Sequence, residues 1–392
     1  MPLDRIGPSG SISGPMARRI FITVAEVSGD QHAAHLIHSL RQLDPSLIIE
    51  GHGGPAMEAA GAIIHHEMTH KAAMSFHALK RVGEIWNLLA WTGRYYDRSK
   101  PHLHICIDSP DSNLPFARIA HQRGVPVLYY IAPQLWAWRE GRIKKVRQRV
   151  DQVACILPFE EAYFRQHGVK ATFVGHPLFD RLPRGRGPAL GVRFPNRPPV
   201  VGLLPGSRRS EAMHNYHNLL EVAERIRGQF PQARFLVPTT PGTHPIVEQL
   251  SKGHDSIDYG LDRFDEMVPQ CDLCLTVSGT ATLHVAAYGI PMIVVYRSSP
   301  LSWHLLGRWL IKTRTYSLVN LLNSRNHIVP EFIPWYGSNE PVAERAIDYL
   351  KHPEKLADQA AKLTELVRSL DHPGASMNVA KLAMQMMGGQ QA

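Results

Sequence analysis

The sequence predicts an α/β protein of two doubly wound halves facing a central cleft, and three observations carry that expectation. From Arg19 onward, short β-rich runs alternate with helical stretches at the spacing that builds a parallel sheet covered on both faces. The segment Arg181–Pro199, RLPRGRGPALGVRFPNRPP, is dense in Pro, Gly and Arg without any periodic pattern, and reads as a linker. Beyond it the alternation restarts. A chain of 392 residues with 44% apolar content is long enough for two cores and too long for one of ordinary size.

In chain order, residues 1–18 contain no apolar stretch of signal-peptide type and are expected to be a flexible leader, with Met16 as an alternative start. The first half, residues 19–182, opens with RIFITVAE as a strand, GDQHAAHLIHSLRQL as a helix and LIIEGHGG as a strand. It continues through HLHICID, FARIAHQRG and VPVLYYIAP. The linker proper is set at 183–199, and the second half at 200–360. That half reads VVGLLPGSRRSE, a helix around NLLEVAERIRGQF, ARFLVPT, CDLCLTVSGTATLHVAAYG and the buried run PMIVVY. Residues 361–392 are set apart as a closing helical segment.

Composition narrows the class of partner. The net charge of +9 suits an anionic partner: nucleic acid, an acidic membrane surface or a phosphorylated substrate. The longest apolar runs, such as Ile290 to Tyr296, fall far short of the roughly 20 residues a spanning helix needs. Four cysteines, Cys106, Cys155, Cys271 and Cys274, lie in or near apolar runs, and the single CxxC of Cys271 and Cys274 is read as buried thiols of a reducing compartment.

In open α/β sheets ligands sit beyond the carboxyl ends of strands, so loops after strands are examined first. In AEVSGD, Ser28, Gly29 and Asp30 stand where backbone N–H groups can approach a ligand or simply cap a helix. In LPGSRRSE, Gly206 and Ser207 open a helix beside Arg208, whose planar fork suits phosphate oxygens. In SGTATL, Ser278, Gly279 and Thr280 lead into a helix whose N-terminus attracts anions, with an ordinary N-cap as the alternative. Two helix N-termini and an arginine in one half point to a diphosphate, while the absence of GK[ST] and of G-x-G-x-x-G argues against a P-loop or a dinucleotide fingerprint.

In the first half, IDSPDSN places Asp108 and Asp111 in a loop where either can accept a proton from a hydroxyl; alternatively Asp111 caps the following helix. His102, His104, Cys106 and Asp108 share one strand face, yet ligands in a single row rarely converge on an ion, and a metal-free site is preferred. The cluster around Trp136, Trp138, Arg139, Arg142, Lys144 and Lys145 fits stacked bases, a lipid boundary or domain packing. ALKRVGEIWNLLAWTGRYY carries Leu79, Val82, Trp86 and Leu89 at helical spacing, flanked by Lys80, Arg81 and Arg94. Such a helix suits an anionic membrane or a core. SPLSWHLLGRWLIKTR repeats the theme in the second half.

Together the motifs AEVSGD, GHGGPAMEAAG, IDSPDSN, APQLWAWREGRIKK, ILPFEEAYF, VGHPL, LLPGSRRSE, SGTATL, PMIVVYR and YSLVNLL resemble the lipid-A-disaccharide synthase family, over a span from about Arg19 to the end. The resemblance implies a GT-B fold of two Rossmann-like domains: acceptor-binding at 19–182, UDP-binding at 200–360. It implies an inverting, metal-independent glycosyltransferase without a cofactor, acting in the cytoplasm on the inner face of the inner membrane. UDP-2,3-diacylglucosamine would be joined to 2,3-diacylglucosamine 1-phosphate (lipid X), giving a β-1,6-linked disaccharide and UDP. Residue by residue, the resemblance puts the base on Asp108, the UDP-contacting arginine on Arg208, the Ser-Gly-Thr loop on Ser278, Gly279 and Thr280, and the asparagine after SL on Asn320.

Where the family usually has Glu after SGTATL this chain has His284, at a position that meets ribose hydroxyls, and the family's DFN is DSN here. An imidazole still hydrogen-bonds a hydroxyl but offers no charged bidentate acceptor. The expected partners are the UDP-sugar, the phosphorylated acylated acceptor and an anionic membrane surface, with a homodimer admitted and no nucleic acid. The rival expectations are another UDP-sugar enzyme of this fold, an epimerase or a transferase with an altered acceptor, and a non-catalytic UDP-sugar-binding paralogue.

Overall fold

A computed structural model describes residues 18–69, 78–136, 140–182, 196–297, 315–323 and 326–388, with the backbone alone for 78–82. Residues 1–17 of the expected leader, 183–195 of the expected linker, Trp138, Arg139 and the whole of SPLSWHLLGRWLIKTR lie outside the described residues. The chain divides into two compact units, the first from residues 1–135, 141–180 and 373–392, the second from 136–140 and 181–372.

The first unit contains β1 (Arg19–Val24), α1 (Val27–Leu43), β2 (Ile48–Gly53), α2 (Pro55–Ala59), β3 (Ile63–Glu67), α3 (Ala78–Arg98) and β4 (Leu103–Ile107). It goes on with α4 (Pro110–Gln122), β5 (Val127–Tyr130), α5 (Ile143–Arg149), β6 (Gln152–Cys155), α6 (Pro158–Gln166), β7 (Ala171–Phe173) and α7 (Leu178–Arg181). Its seven strands run in the order β3-β2-β1-β4-β5-β6-β7, and the strand pairs are parallel. β1 shows why. Ile20, Ile22 and Val24 pack with Leu36, Ile37 and Leu40 of α1, while Phe21 faces the cluster of Tyr96 and Ala117. A strand buried on both faces reads as a continuous apolar run, and its partners must carry covering helices.

The second unit contains β8 (Val200–Leu204), α8 (Arg209–Gln229), β9 (Arg234–Thr239), α9 (His244–Leu250), β10 (Ile257–Leu261), α10 (Phe264–Met267) and β11 (Leu273–Val277). After these come α11 (Thr280–Ala287), β12 (Met292–Arg297), α12 (Leu318–Leu322), β13 (Glu331–Trp335), α13 (Glu340–Lys351) and α14 (Pro353–Leu370). Its six strands are ordered β10-β9-β8-β11-β12-β13, again parallel. The four cysteines are free and buried, as expected. The informative residue of the CxxC lies between its thiols. Asp272, nearly inaccessible, receives Arg197 through both carboxylate oxygens at 2.9 and 2.8 Å and the Val200 N–H at 2.9 Å, tying the chain ahead of β8 to the sheet.

The helical C-terminal segment is shared between the two units. Residues 361–370 complete α14 of the second unit, whereas a last helix, α15 (Ala375–Gly388), returns to the first. The reason is its apolar face: Val379, Ala380, Ala383 and Met387 enter the same core as Leu36 and Leu40. Asp180 caps that return, accepting the N–H groups of Gly374, Ala375 and Ser376 at 2.6, 3.0 and 2.9 Å.

Candidate active site

In each sheet the strand order reverses at one place, between β1 and β4 in the first unit and between β8 and β11 in the second. Ligands of open α/β sheets bind outside the carboxyl ends of the strands at such a switch. The loops that follow these four strands are AEVSGD, IDSPDSN, PGSRRSE and SGT. Topology therefore brings the sequence candidates together in two pairs, one per unit.

The pair in the first unit is tightly built. A Cβ at Gly29 would lie 2.9 Å from Val24 Cγ1, so a side chain there would push on the end of β1, while the Asp108 loop lies at ordinary contact distance, 4.0 Å to Asp108 Cβ. Asp108 and Ser109 both take left-handed backbone angles, φ +54° and +41°. Non-glycine residues held there cost about 1–3 kcal/mol each and persist only where their surroundings fix them. Here they are fixed. Asp108 N–H donates to Tyr130 O at 3.1 Å, and Asp108 C=O accepts from Tyr129 OH and from Asn113 Nδ2, each at 2.7 Å. Asn113 Nδ2 also donates to Ile107 O at 2.8 Å.

The pair in the second unit is made of backbone and exposed charge. Gly206 has φ +110°, and a Cβ there would meet Glu211 Cβ at 2.6 Å. Glu211 reaches back over the helix start. Its Oε2 accepts from the N–H groups of Ser207 and Arg208 at 3.1 and 3.2 Å, while Arg208 places its guanidinium 3.1 Å from Oε1. At the other loop, Ser278 Oγ donates to Tyr316 O at 2.8 Å and Ser278 N–H to Val295 O at 3.3 Å, leaving Gly279 and Thr280 exposed at the start of α11. Tyr296, near the end of β12, has its hydroxyl pKa raised by burial and by the Glu211 carboxylate.

Four sequence candidates have other work. Asp30 is 2% exposed and its carboxylate accepts the N–H groups of Gly54, Ala56 and Met57 at 2.9, 2.8 and 3.2 Å, so it holds the start of α2. Asp111, in the first turn of α4, is ion-paired with Arg142. Asn320 is wholly buried. Its Oδ1 accepts the N–H groups of Ile328 and Val329 at 2.7 and 2.9 Å, and its Nδ2 donates to Val329 O at 2.9 Å and Glu331 Oε1 at 2.7 Å, which fills the amide from within the protein. His284 directs Nε2 at Asp265 Oδ1, 2.7 Å away, and its ring stacks on Phe264 and Tyr288 with centroids 4.3 and 5.6 Å apart. The His284 hydrogen bond holds the Asp265 carboxyl down at about 2.

Residues that loop-by-loop inspection passes over are the supports: Thr23, Tyr129, Asn113, Glu211 and Glu331. Glu331 fixes the segment before α12 by accepting the N–H groups of Tyr316 and Ser317, both at 3.0 Å. For Thr23 the sequence signal is a polar residue inside the apolar strand RIFITV; Asn113 and Glu211 sit in first helical turns and carry no such mark.

Two parallel-sheet units with paired switch-point loops, and a last helix returning to the first unit, define the two-domain GT-B architecture of nucleotide-sugar enzymes. Solved structures agree on the fold. A UDP-GlcNAc 2-epimerase from Neisseria meningitidis bound to UDP-GlcNAc superimposes with TM-score 0.63 at 12% identity, over 94% of this chain and 99% of its own. MurG of Acinetobacter baumannii gives 0.56 at 13%, over 94% and 99%. A family profile described as lipid-A-disaccharide synthetase matches residues 20–386, and the chain belongs to that family. Curated lipid-A-disaccharide synthases are similar across nearly their whole length: 35% identity for Geobacter metallireducens, covering 95% of this chain and 98% of the relative, and 36% for Anaeromyxobacter sp. (strain K), covering 94% and 97%. The chain is thus a glycosyltransferase of lipid A biosynthesis with a UDP-sugar donor and a glycosyl acceptor.

Proposed function

We propose that the chain transfers diacylglucosamine from UDP-2,3-diacylglucosamine to the 6-hydroxyl of 2,3-diacylglucosamine 1-phosphate with inversion. The observation that carries the proposal is Asp108, strained and backbone-clamped at the first switch point, in a chain matched to the family over both units. Asp108 takes the proton of the acceptor hydroxyl as its oxygen bonds to the anomeric carbon, and the bond from that carbon to the diphosphate breaks. The charge that grows on departing UDP is met by Arg208 and by the backbone N–H groups of the Gly206–Ser207 and Ser278–Thr280 loops. Ser28 and Gly29 line the Asp108 side. Asp30 and Asn320 contribute as scaffolds of neighbouring loops, and Asp111 through its pair with Arg142. His284, paired with Asp265, is the residue that would meet the ribose hydroxyls.

The proposal includes an anionic membrane surface at the cytoplasmic face of the inner membrane. Among the described residues no helix is long and apolar enough to cross a membrane. On α3, however, Ile85 and Trp86 are 40% and 68% exposed, with the basic positions Lys80 and Arg81 just before them. An exposed tryptophan on a helix whose sequence carries lysine and arginine a few positions earlier fits a headgroup boundary. A second copy of the chain is part of the proposal as a homodimer.

Purified protein is incubated with the UDP-sugar, with and without acceptor. Disaccharide plus UDP is the expected outcome. An isomerised donor without acceptor identifies an epimerase, and UDP-sugar binding with no product identifies a non-catalytic paralogue; either result ends the proposal.

A further inference from the structure

Behind Asp108 runs a line of buried polar groups that nothing in the reaction touches. Tyr96 OH lies 2.6 Å from His104 Nδ1, His104 Nε2 lies 3.0 Å from Thr23 Oγ1, and Thr23 Oγ1 lies 2.7 Å from Asn113 Oδ1. His104, Thr23 and Asn113 are inaccessible and Tyr96 nearly so.

The direction of every proton in this line follows from its ends. Asn113 faces the carbonyls of Ile107 and Asp108, which only accept, so Nδ2 is the atom beside them and Oδ1 is the atom beside Thr23. Oδ1 only accepts, so the single hydroxyl proton of Thr23 goes to it. His104 Nε2 must then carry hydrogen and donate to Thr23. A neutral imidazole protonated at Nε2 has its lone pair at Nδ1, so Tyr96 donates there. Burial keeps the ring neutral, with a pKa down at about 3. The line is one-way, Tyr96 to His104 to Thr23 to Asn113, and it ends on the two carbonyls that flank the strained turn.

We propose that Asn113, oriented by Tyr96, His104 and Thr23, is a positioning residue for the transfer: the chain clamps the Ile107–Ser109 backbone in its left-handed course and thereby sets the direction of the Asp108 carboxylate. The inference rests on Asp108 being the base. An ordinary strand-to-helix turn uses glycine at left-handed positions. Here aspartate and serine occupy them, each with φ above +40°, held by a chain that starts on α3 and runs along one face of the sheet. A donor chain in a low-dielectric interior is cooperative, and losing a middle member leaves both neighbours unpaired.

The test compares Thr23→Val, which removes the hydroxyl at nearly constant volume, with Thr23→Ser, which keeps it, in the full chain and well below the melting temperature of each. Displacement of a reacting group by about 1 Å costs on the order of 10²-fold in rate. Thr23→Val is therefore expected to lower kcat about 10²-fold with KM for the UDP-sugar unchanged, and Thr23→Ser to restore most of it. In an Asp108→Asn background Thr23→Val is expected to add nothing, because the two act on one step. Tyr96→Phe, which alters only the far donor and keeps the ring, is expected to cost roughly 10-fold and serves should Thr23→Val fail to fold. Normal kcat in Thr23→Val and Tyr96→Phe beside a dead Asp108→Asn overturns the inference and leaves the base in place. Activity losses that follow melting temperature in valine and serine variants alike overturn it as well. An active Asp108→Asn removes the base assignment first, and the inference with it.

Discussion

The two switch points solve the same topological problem with opposite materials. At β1 and β4 the loop is held by side chains that are buried and saturated: Asn113, Tyr129 and Thr23 leave the turn little freedom. At β8 and β11 the loops offer backbone N–H groups, glycines and an arginine whose side chain is 67% exposed. A proton acceptor must be aimed to within a fraction of an ångström, whereas a diphosphate is gripped by many weakly directional donors and tolerates adjustment. On the proposed mechanism the first site serves rate and the second affinity. Substitutions should therefore separate kcat from binding according to unit.

The largest separation is expected at Asp108. Asp108→Asn keeps the size of the side chain and removes the proton acceptor, so turnover should fall by about 10²–10⁴ while UDP affinity measured by calorimetry stays within twofold of wild type. Loss of affinity in step with turnover would dissolve the contrast between the units.

Arg208→Ala should show the converse, weakening UDP by roughly 10- to 100-fold through loss of a charge-assisted contact worth about 1.5–3 kcal/mol. Arg209 is the first residue of α8 and is exposed, and Arg209→Ala should cost no more than about twofold. Equal, mild effects from both arginines would show that the diphosphate is held elsewhere.

How much of this could be read without coordinates depends on the kind of signal. Apolar runs alternating with helical periods give both sheets, because burial on two faces writes itself into composition. The position of Asp108, Gly206, Arg208 and Ser278 in loops that follow strands is legible as well. The supports stayed hidden, because Thr23 and His104 look like isolated polar residues within apolar strands and become a chain only when β1 and β4 lie side by side. The same holds for the partners of Asp30 and Asn320: Gly54 and Glu331 lie 24 and 11 residues away and are not marked in sequence as their neighbours. His284 was legible as a departure, but its mate Asp265 was not.

The contrast extends to acid. His104 and His52 are buried in the first unit, and burial depresses both, His104 to about 3 and His52 well below 6.5. A base whose folded pKa is depressed leaves the unfolded chain holding more protons between the two values, so stability is whole above pH 6.5 and falls as pH drops from there toward 3. In the second unit Asp265 is lowered from 3.8 to about 2 by His284, so its contribution is present above 3.8 and lost only as pH falls through that lower window. Its side chain is 53% exposed, so the share is small. Hydrogen exchange corrected for intrinsic rates should show amides of β1 and β4 losing protection between about pH 6.5 and 4.5, while those of β8 and β11 hold. A uniform loss across both sheets would contradict this.

The smallest effect concerns the occupant of the second site. Glu211 sits with one oxygen on the Ser207 and Arg208 N–H groups and the other on the Arg208 guanidinium, which is the set of donors assigned to the diphosphate. A carboxylate there caps the helix, and it also repels an incoming anion and must turn aside when the anion takes its partners. Glu211→Gln retains an amide oxygen able to accept from the same N–H groups, so the cap survives, while the negative charge is gone. Removing one charge at an exposed site is worth on the order of 0.3–1 kcal/mol, so UDP should bind about two- to fivefold tighter, with the melting temperature changed by no more than a few degrees. The gain should shrink in high salt, since exposed charges are screened over about 10 Å at 0.1 M. Weaker binding in Glu211→Gln would mean that the carboxylate's chief service is to hold Arg208 in place for the ligand, and the second site would then be preorganised by a side chain in the manner of the first.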